Sequence, residues 1–228
     1  MKKNLFYLCV FIFSVTFLNS CDDKGDAKEN LIGTWMLNQD YAVFMTWEAS
    51  ESLSIGGIPM SSTVVAAMVS EYGSNVLKEE LKTITLKDND DIEATYKGES
   101  GYVTEVYGKY KAISDKKLLY YPDVDKLLKD IDGVSDITMA ELKALSKAGI
   151  PVSYVLAGQT LESASFYLNT ETIKAMKILF PVLASSVSGD SVEGVLVKAI
   201  LEELPTALDK TTKIELGLNF VKSPVAAN

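Results

Sequence analysis

Chemistry in this chain has to come from carboxylates, lysines, hydroxyls and aromatic rings, because two common catalytic residue types are missing. There is no histidine, and every one of the 22 basic residues is lysine. Without imidazole there is no Ser-His-Asp or Cys-His nucleophile system, no imidazole metal ligand and no side chain that switches charge near neutral pH. Without guanidinium there is no bidentate clamp for carboxylate or phosphate. Among the 31 carboxylates a pair could cleave glycosidic bonds. Spacing in the sequence singles out no such pair, and solvated surface is the ordinary place for acidic residues. Asp88, Asp90 and Glu99 occupy positions one, three and twelve of a calcium-binding loop. Positions five and six hold Ile92 and Glu93, where an oxygen ligand and a glycine are needed, so a β-turn is expected there instead. Gly98-Glu99-Ser100-Gly101 does not match the Gly-x-Ser-x-Gly elbow, and its serine has no familiar base. No catalytic residue, no metal ligand and no cofactor is expected, and the chain reads as a non-enzyme. A carboxylate-based carbohydrate-active enzyme and a structural envelope protein are the alternatives. Recognition falls to aromatics: Trp35, Trp47 and Tyr154 are the candidate ligand-binding residues, with Tyr96, Tyr107, Tyr110, Tyr120, Tyr121 and Tyr167 beside them. Such rings line apolar cavities or stack on sugars, and they also fill ordinary cores.

The N-terminus reports location. Lys2 and Lys3 precede an apolar run over residues 5–18, and Leu18-Asn19-Ser20-Cys21 follows. As a helix that run would rise about 21 Å, short of the roughly 30 Å of a bilayer core, so it reads as an export signal rather than a span. The stretch resembles the bacterial lipoprotein signal, whose cleavage box is Leu, a variable residue, a small residue and Cys. Leu18, Ser20 and Cys21 fit, with Asn19 at the loose position. The resemblance implies cleavage before Cys21 and acyl chains on it. It makes the membrane a partner through those chains, and the expected location is the cell envelope of a Gram-negative bacterium, as an outer membrane lipoprotein. Asp22 and Asp23, directly after Cys21, resemble the surface-export tag of some lipoprotein-rich bacteria. In enteric bacteria an Asp there resembles an inner-membrane retention signal instead.

The formal net charge is −9, and it becomes more negative when Lys2 and Lys3 leave with the signal. An acidic surface repels phosphate backbones, so no nucleic-acid partner is expected, nor a polybasic contact with anionic lipid. Cys9 leaves with the signal and Cys21 is acylated on this reading, so no disulfide braces the domain. Its stability must rest on burial, for which 47% hydrophobic residues are available.

The organisation expected is a signal peptide over residues 1–20, the lipidated Cys21 with a flexible acidic tether over 21–30, one domain over 31–222 and a tail over 223–228. Residues 22–30 carry almost no apolar group and cannot bury enough to order themselves. Strands are expected at 31–38 and 43–47, with Gly56-Gly57-Ile58-Pro59 as punctuation. A helix capped by Ser61 or Ser62 should present Val64, Val65, Met68, Val69, Tyr72, Val76, Leu77 and Leu81 on one face. From Thr83 the period changes to two: residues 83–97 form a hairpin around Asp88-Asn89-Asp90-Asp91, and further strands cover 102–106, 108–114 and 118–121. Pro122-Asp123 starts a helix with Val124, Leu127, Leu128 and Ile131 on one face. Thr138 and Glu141 form a capping box for a second helix, stopped by Gly149 and Pro151. A hairpin spans 152–168. A deeply packed helix starts at Asn169 or Thr170 and is kinked or ended by Pro181. Another opens with Asp190-Ser191-Val192-Glu193 and buries Val192, Val195, Leu196, Ala199, Ile200 and Leu204. The same Asp190-Ser191-Val192 resembles a short bacterial O-glycosylation acceptor, which makes Ser191 a candidate for modification. Ile214, Leu216, Leu218 and Phe220 give the closing strand, 213–222, its alternation.

These patterns predict an α+β domain built on an antiparallel, barrel-like sheet with inserted helices. Gly33-x-Trp35 after a tether, the hairpins over 83–121 and the closing Glu215-Leu216-Gly217-Leu218-Asn219-Phe220 resemble the lipocalin-like domains of small bacterial lipoproteins. That resemblance implies a binding or accessory role toward a small apolar ligand or a protein partner. The helices expected at 61–82, 122–148 and 169–208 depart from the lipocalin pattern and would plug or cap the barrel.

Overall fold

A computed structural model of the protein describes residues 26–127, 136–187 and 192–223. The signal, Cys21, Leu128, Ile131, Asp190 and Ser191 lie outside them. The alternating stretches form eleven strands among the described residues: β1 (Gly33–Leu37), β2 (Val43–Ala49), β3 (Leu53–Ile55), β4 (Ile58–Met60), β5 (Leu81–Leu86), β6 (Asp91–Gly98), β7 (Gly101–Ser114), β8 (Lys117–Pro122), β9 (Ile150–Ala157), β10 (Ser163–Leu168) and β11 (Thr211–Lys222). Eight of them, β1-β5-β6-β7-β8-β9-β10-β11, form an antiparallel barrel that closes where β1 meets β11, with Trp35 opposite Lys222 and Leu37 opposite Phe220. The expected barrel-like α+β architecture is therefore present, in the closed form that removes sheet edges. Inward positions are apolar along most of each strand: Leu118 and Tyr120 on β8, Val152 and Tyr154 on β9, Phe166 and Leu168 on β10, Ile214 and Leu218 on β11. Outward positions carry groups such as Thr95, Lys109 and Lys111. A transmembrane barrel has the reverse pattern, apolar outward and polar within.

The connections are strongly asymmetric. Short turns at 87–90, 115–116 and 158–162 join strands at one end, hereafter the hairpin end. Nearly all helices are inserted at the other, the helical end. These are α2 (Ser62–Glu80) before β5, α3 (Val124–Leu127) and α4 (Asp136–Ala148) between β8 and β9, and three segments between β10 and β11: α5 (Thr170–Ala175), α6 (Phe180–Ser186) and α7 (Val192–Ala207). The exception is α1 (Asp26–Leu31), which sits at the hairpin end.

That helix corrects the expected tether: residues 26–30 are helical, and Ala27 and Leu31 are buried. One buried face, absent from any count of apolar residues, orders the segment. Leu31 O accepts the indole N–H of Trp35 at 2.9 Å, while Lys28 Nζ bonds Asp88 O and Asp90 Oδ1, both at 2.6 Å. Residues 26–30 thus pack with the domain. At the other terminus Ser223 N–H bonds Thr34 O at 2.7 Å, so Ser223 also belongs to it.

Other elements differ in detail. Residues 101–114 form one strand rather than two, because Tyr107 is an extra residue bulged opposite the step from Ile92 to Glu93. Gly108 follows it at φ +154°, where a Cβ would lie 2.3 Å from Tyr121 O. The glycine that looked like a break is where β8 crosses against β7. Gly56-Gly57 is the turn of the small β3–β4 hairpin, whose three-residue strands are too short to show a period. Helix α4 begins at Asp136, so Thr138 lies inside it rather than capping it. After α5 the chain passes through a 3₁₀ turn, Lys177–Leu179, and the helix breaks at Met176. Pro181 stands in the first turn of α6, where its missing N–H is harmless, and so opens a helix rather than ending one. Val192 and Val195 of α7 are exposed, whereas Ile200 and Leu204 are buried.

Strand β2 continues the line of β1 along β11 but has no strand on its far side among the described residues. Helix α2 covers it. Ser74 Oγ accepts Val43 N–H and Ser70 Oγ accepts Met45 N–H, each at 2.9 Å, so two edge donors are satisfied by hydroxyls. The approach is close because Gly73 faces Val43; a Cβ there would stand 3.2 Å from Val43 Cγ2. The buried face of α2 is therefore turned toward its small residues, and Val64 is left 47% exposed. Removing the Ser74 hydroxyl leaves the Val43 amide buried and unpaired, an expected loss of about 1–3 kcal/mol. In chemical denaturation Ser74→Ala should be less stable than the parent by that amount and Ser70→Ala by less, since Met45 is only half-buried. Equal midpoints for Ser74→Ala and parent would show that the helix does not close this edge.

Candidate functional site

The barrel interior holds an apolar cavity of about 70 Å³, on a measure in which a single water needs about 10–15 Å³. Its wall is built strand by strand from inward positions: Leu81, Ile84 and Leu86 of β5, Ile92 and Ala94 of β6, Tyr107, Leu118 and Tyr120, Val152, Phe166, and Leu218 and Phe220 of β11. Leu77 of α2 closes it from the helical end. Beyond it, beneath α5, α6 and α7, the space between Met45, Leu168, Ile214 and Leu216 is filled by Ile173, Met176, Phe180 and Leu204, leaving a void of only about 20 Å³. The long insertion before β11 thus caps the barrel and does not enter the cavity.

The buried tyrosines in and behind the wall, Tyr120 in it and Tyr110 and Tyr154 behind it, bond their hydroxyls to backbone carbonyls. Tyr120 Oη donates to Tyr107 O at 2.9 Å, Tyr110 Oη to Lys87 O at 2.8 Å and Tyr154 Oη to Ser114 O at 2.7 Å. Each phenol satisfies a backbone carbonyl, those of Lys87 and Ser114 at strand ends and that of Tyr107 at the bulge, and Tyr120 leaves ring carbons toward the cavity. Burial, with Asp90 and Asp88 nearby, pushes Tyr110 up to about 12; burial, with Asp115 nearby, does the same to Tyr154. Tyr120 is pushed higher still by complete burial, with Asp123 adding to it.

A charged residue, Glu105, stands on the inward face beside the wall. Glu105 pairs directly across from Ala94, so both side chains lie on the same face of the sheet, and Ala94 lines the cavity. Glu105 Oε2 accepts from Tyr96 Oη at 3.0 Å and Tyr107 Oη at 3.3 Å, and stands 3.2 Å from Lys126 Nζ on α3. Lys126 Nζ also donates to Val106 O at 3.1 Å and lies 5.0 Å above the Tyr107 ring. Partial burial pushes Glu105 up, but the bonds from Lys126, Tyr96 and Tyr107 outweigh it and hold the carboxyl below its ordinary 4.5. The side chains of Glu105 and Lys126 are 40% and 31% exposed, so this pair touches solvent while Tyr107 behind it is buried. It borders the cavity through two lining residues, Tyr107, which both groups touch, and Ala94, which lies across from Glu105, and is called the rim below.

The residues expected to bind ligand are placed otherwise. Trp35, Trp47 and Tyr154 are all buried, and none is on the cavity wall. Trp35 is packed by Phe166 at 6.2 Å between ring centroids, with Lys222 Nζ 5.2 Å over its ring. Trp47 lies toward the helical end and donates to Thr211 Oγ1 at 2.9 Å. Tyr154 packs against Phe166 at 6.0 Å. Trp35, Tyr154 and Phe220 surround Phe166, and of these four rings Phe166 and Phe220 reach the cavity. Ser191 and Cys21 lie outside the described residues. Asp88 and Asp90 sit in the β5–β6 turn held by Lys28. Sequence reasoning missed Glu105 and Lys126. The signal for Glu105 was the alternation Val103, Glu105, Tyr107, hidden by the bulge at Tyr107.

No protein-family model, no curated protein and no solved structure matches the chain. The inward phenols give a measurable signature. Their folded-state ionisation is raised, so they stabilise the fold below pH 10, the value of an unburied phenol, and this stabilisation is lost as pH rises through their folded values. Tyr110 and Tyr154 should stay neutral until about pH 12, followed by the ring carbon shifts of labelled tyrosine in NMR. Ionisation of either near pH 10 in the native protein would show its hydroxyl open to water.

Proposed function

We propose that this chain is an exported lipoprotein, anchored in the outer membrane of a Gram-negative envelope by acyl chains on Cys21, that acts as a non-enzymatic binding module and holds a small apolar molecule in its barrel. The observation that supports the binding role is the cavity: a space lined almost wholly by carbon, its two wall tyrosines bonding their hydroxyls to Tyr107 O and to Glu105. An unfilled apolar void forgoes contacts worth roughly 20 cal/mol per Å² of its surface. An apolar occupant would recover them with no polar group left unpaired. The anchor rests on the basic, apolar, small-then-Cys order of the N-terminus. It also sets an orientation, because five residues from Cys21 to Asp26 span at most about 18 Å. The hairpin end, where α1 sits, would stay close to the membrane, and the helical end with the Glu105–Lys126 rim would point away.

Two experiments test the two halves separately. Ala94→Leu puts three more carbons into the cavity. It should leave the melting temperature within a few degrees of the parent and weaken binding of an apolar fluorescent probe such as N-phenyl-1-naphthylamine by about tenfold or more, read by titration. Unchanged probe affinity in a folded Ala94→Leu would reject the cavity as the binding site. Metabolic labelling with a fatty-acid analogue should mark the wild type and leave Cys21→Ser unlabelled, and the mature wild-type N-terminus should map to residue 21. Label persisting in Cys21→Ser would remove the anchor.

A further inference from the structure

Behind Tyr107 of the carbon-lined cavity stands a charged pair, Glu105 and Lys126, that has hydrogen-bonding capacity left over. Among the described residues, both phenols and the lysine converge on the Oε2 atom of Glu105, and its Oε1 atom has no partner. Lys126 Nζ has three protons and uses two contacts, Glu105 Oε2 and Val106 O. One free acceptor and one free donor therefore lie side by side at the rim, Tyr107 linking them to the cavity by its ring.

We infer that the cavity takes a single-tailed amphiphile with a neutral hydroxyl or primary amide head, the tail among Ala94, Tyr107 and Phe166 and the head bridging Glu105 and Lys126. This rests on the reading of the cavity as a ligand site. The choice of head follows from the geometry of the pair. Glu105 and Lys126 are 3.2 Å apart, so a charged head that reaches one of them necessarily comes close to a like charge on the other. A carboxylate drawn to Lys126 meets Glu105, and an ammonium drawn to Glu105 meets Lys126. A hydroxyl has neither conflict, since it can donate to Oε1 and accept from Nζ at once. Breaking the ion pair to admit a charged head would also strand one partner in a half-buried position, where an unpaired charge is poorly tolerated.

The test uses three probes with one tail: 1-octanol, octanoate and octylamine, titrated at pH 7 into the mature protein and read by methyl NMR. Octanol should bind at least about tenfold more tightly than either charged probe. Glu105→Gln removes the negative charge but keeps a hydrogen-bonding side chain. It should leave octanol within about threefold and improve octanoate at least tenfold. Lys126→Met is the mirror variant and should improve octylamine instead, which keeps the test available if Glu105→Gln does not fold. Equal affinity of the parent for all three probes, or no gain by the matching charged probe in either variant, would overturn the head-group inference and leave the apolar cavity standing. Failure of all three probes to bind the parent would overturn both.

Discussion

The pairing of β11 is the constraint on which the structure depends. This one strand of twelve residues bonds β10 along one edge and both β1 and β2 along the other. It therefore closes the barrel and carries the broken first wall at the same time. The closing contacts join the chain's ends: Trp35 pairs with Lys222, the Lys222 ammonium lies over the Trp35 ring, and Ser223 N–H reaches Thr34 O. None of these can form until almost the whole sequence is available, so the fold is dominated by pairings distant in sequence and should form slowly for its size. Leu37 and Val43, on the two halves of the broken wall, face Phe220 and Leu218, two residues apart on β11. The interruption at 38–42 thus leaves the inward face continuous.

Closure explains how polar groups are disposed. A barrel has no lateral edges, so exposed backbone is confined to its two ends and to β2, which lies outside the ring. The two serines of α2 cover β2. At the hairpin end, tyrosine hydroxyls bond carbonyls of Lys87 and Ser114, and α1 brings Lys28 to the β5–β6 turn. The same phenols pack their rings into the core behind the inner wall. Buried polar atoms are costly unless bonded, and here the bonding partners were placed at the strand ends, leaving carbon for the interior.

The asymmetry of the connections gives the two ends different characters. Short turns and one short helix occupy the hairpin end, while six of the described helices gather at the other. They fill the barrel mouth near β2 and β11 with Ile173, Met176 and Phe180, and on the opposite side α3 contributes the lysine that meets Glu105. Most ion pairs elsewhere, such as Lys177 with Asp209 and Lys143 with Asp125, are solvent-exposed and contribute little to stability. The Glu105–Lys126 pair differs because two phenols also bond the carboxylate, next to an apolar space.

By itself the sequence determined whatever depends on local period and local bonding. The alternation of Ile214, Leu216, Leu218 and Phe220 is a property of the strand backbone, and Ser61 and Asn169 cap α2 and α5 through bonds spanning only three residues. The absence of histidine and arginine is likewise readable without coordinates. Tertiary structure decided everything that depends on what a segment meets. Residues 26–31 are helical because Ala27 and Leu31 find the barrel end, although the segment is mostly charged. Gly73 and Ser74 matter because a strand edge lies against them, which no helical periodicity announces. Trp35, Trp47 and Tyr154 are large aromatics with the composition of a binding site, yet packing put them behind the wall and left Phe166, Tyr107 and Tyr120 in front. Glu105 faces inward because a single bulged residue at Tyr107 sets the phase of β7, and a period of two cannot be followed through an inserted residue until its partner strand is known.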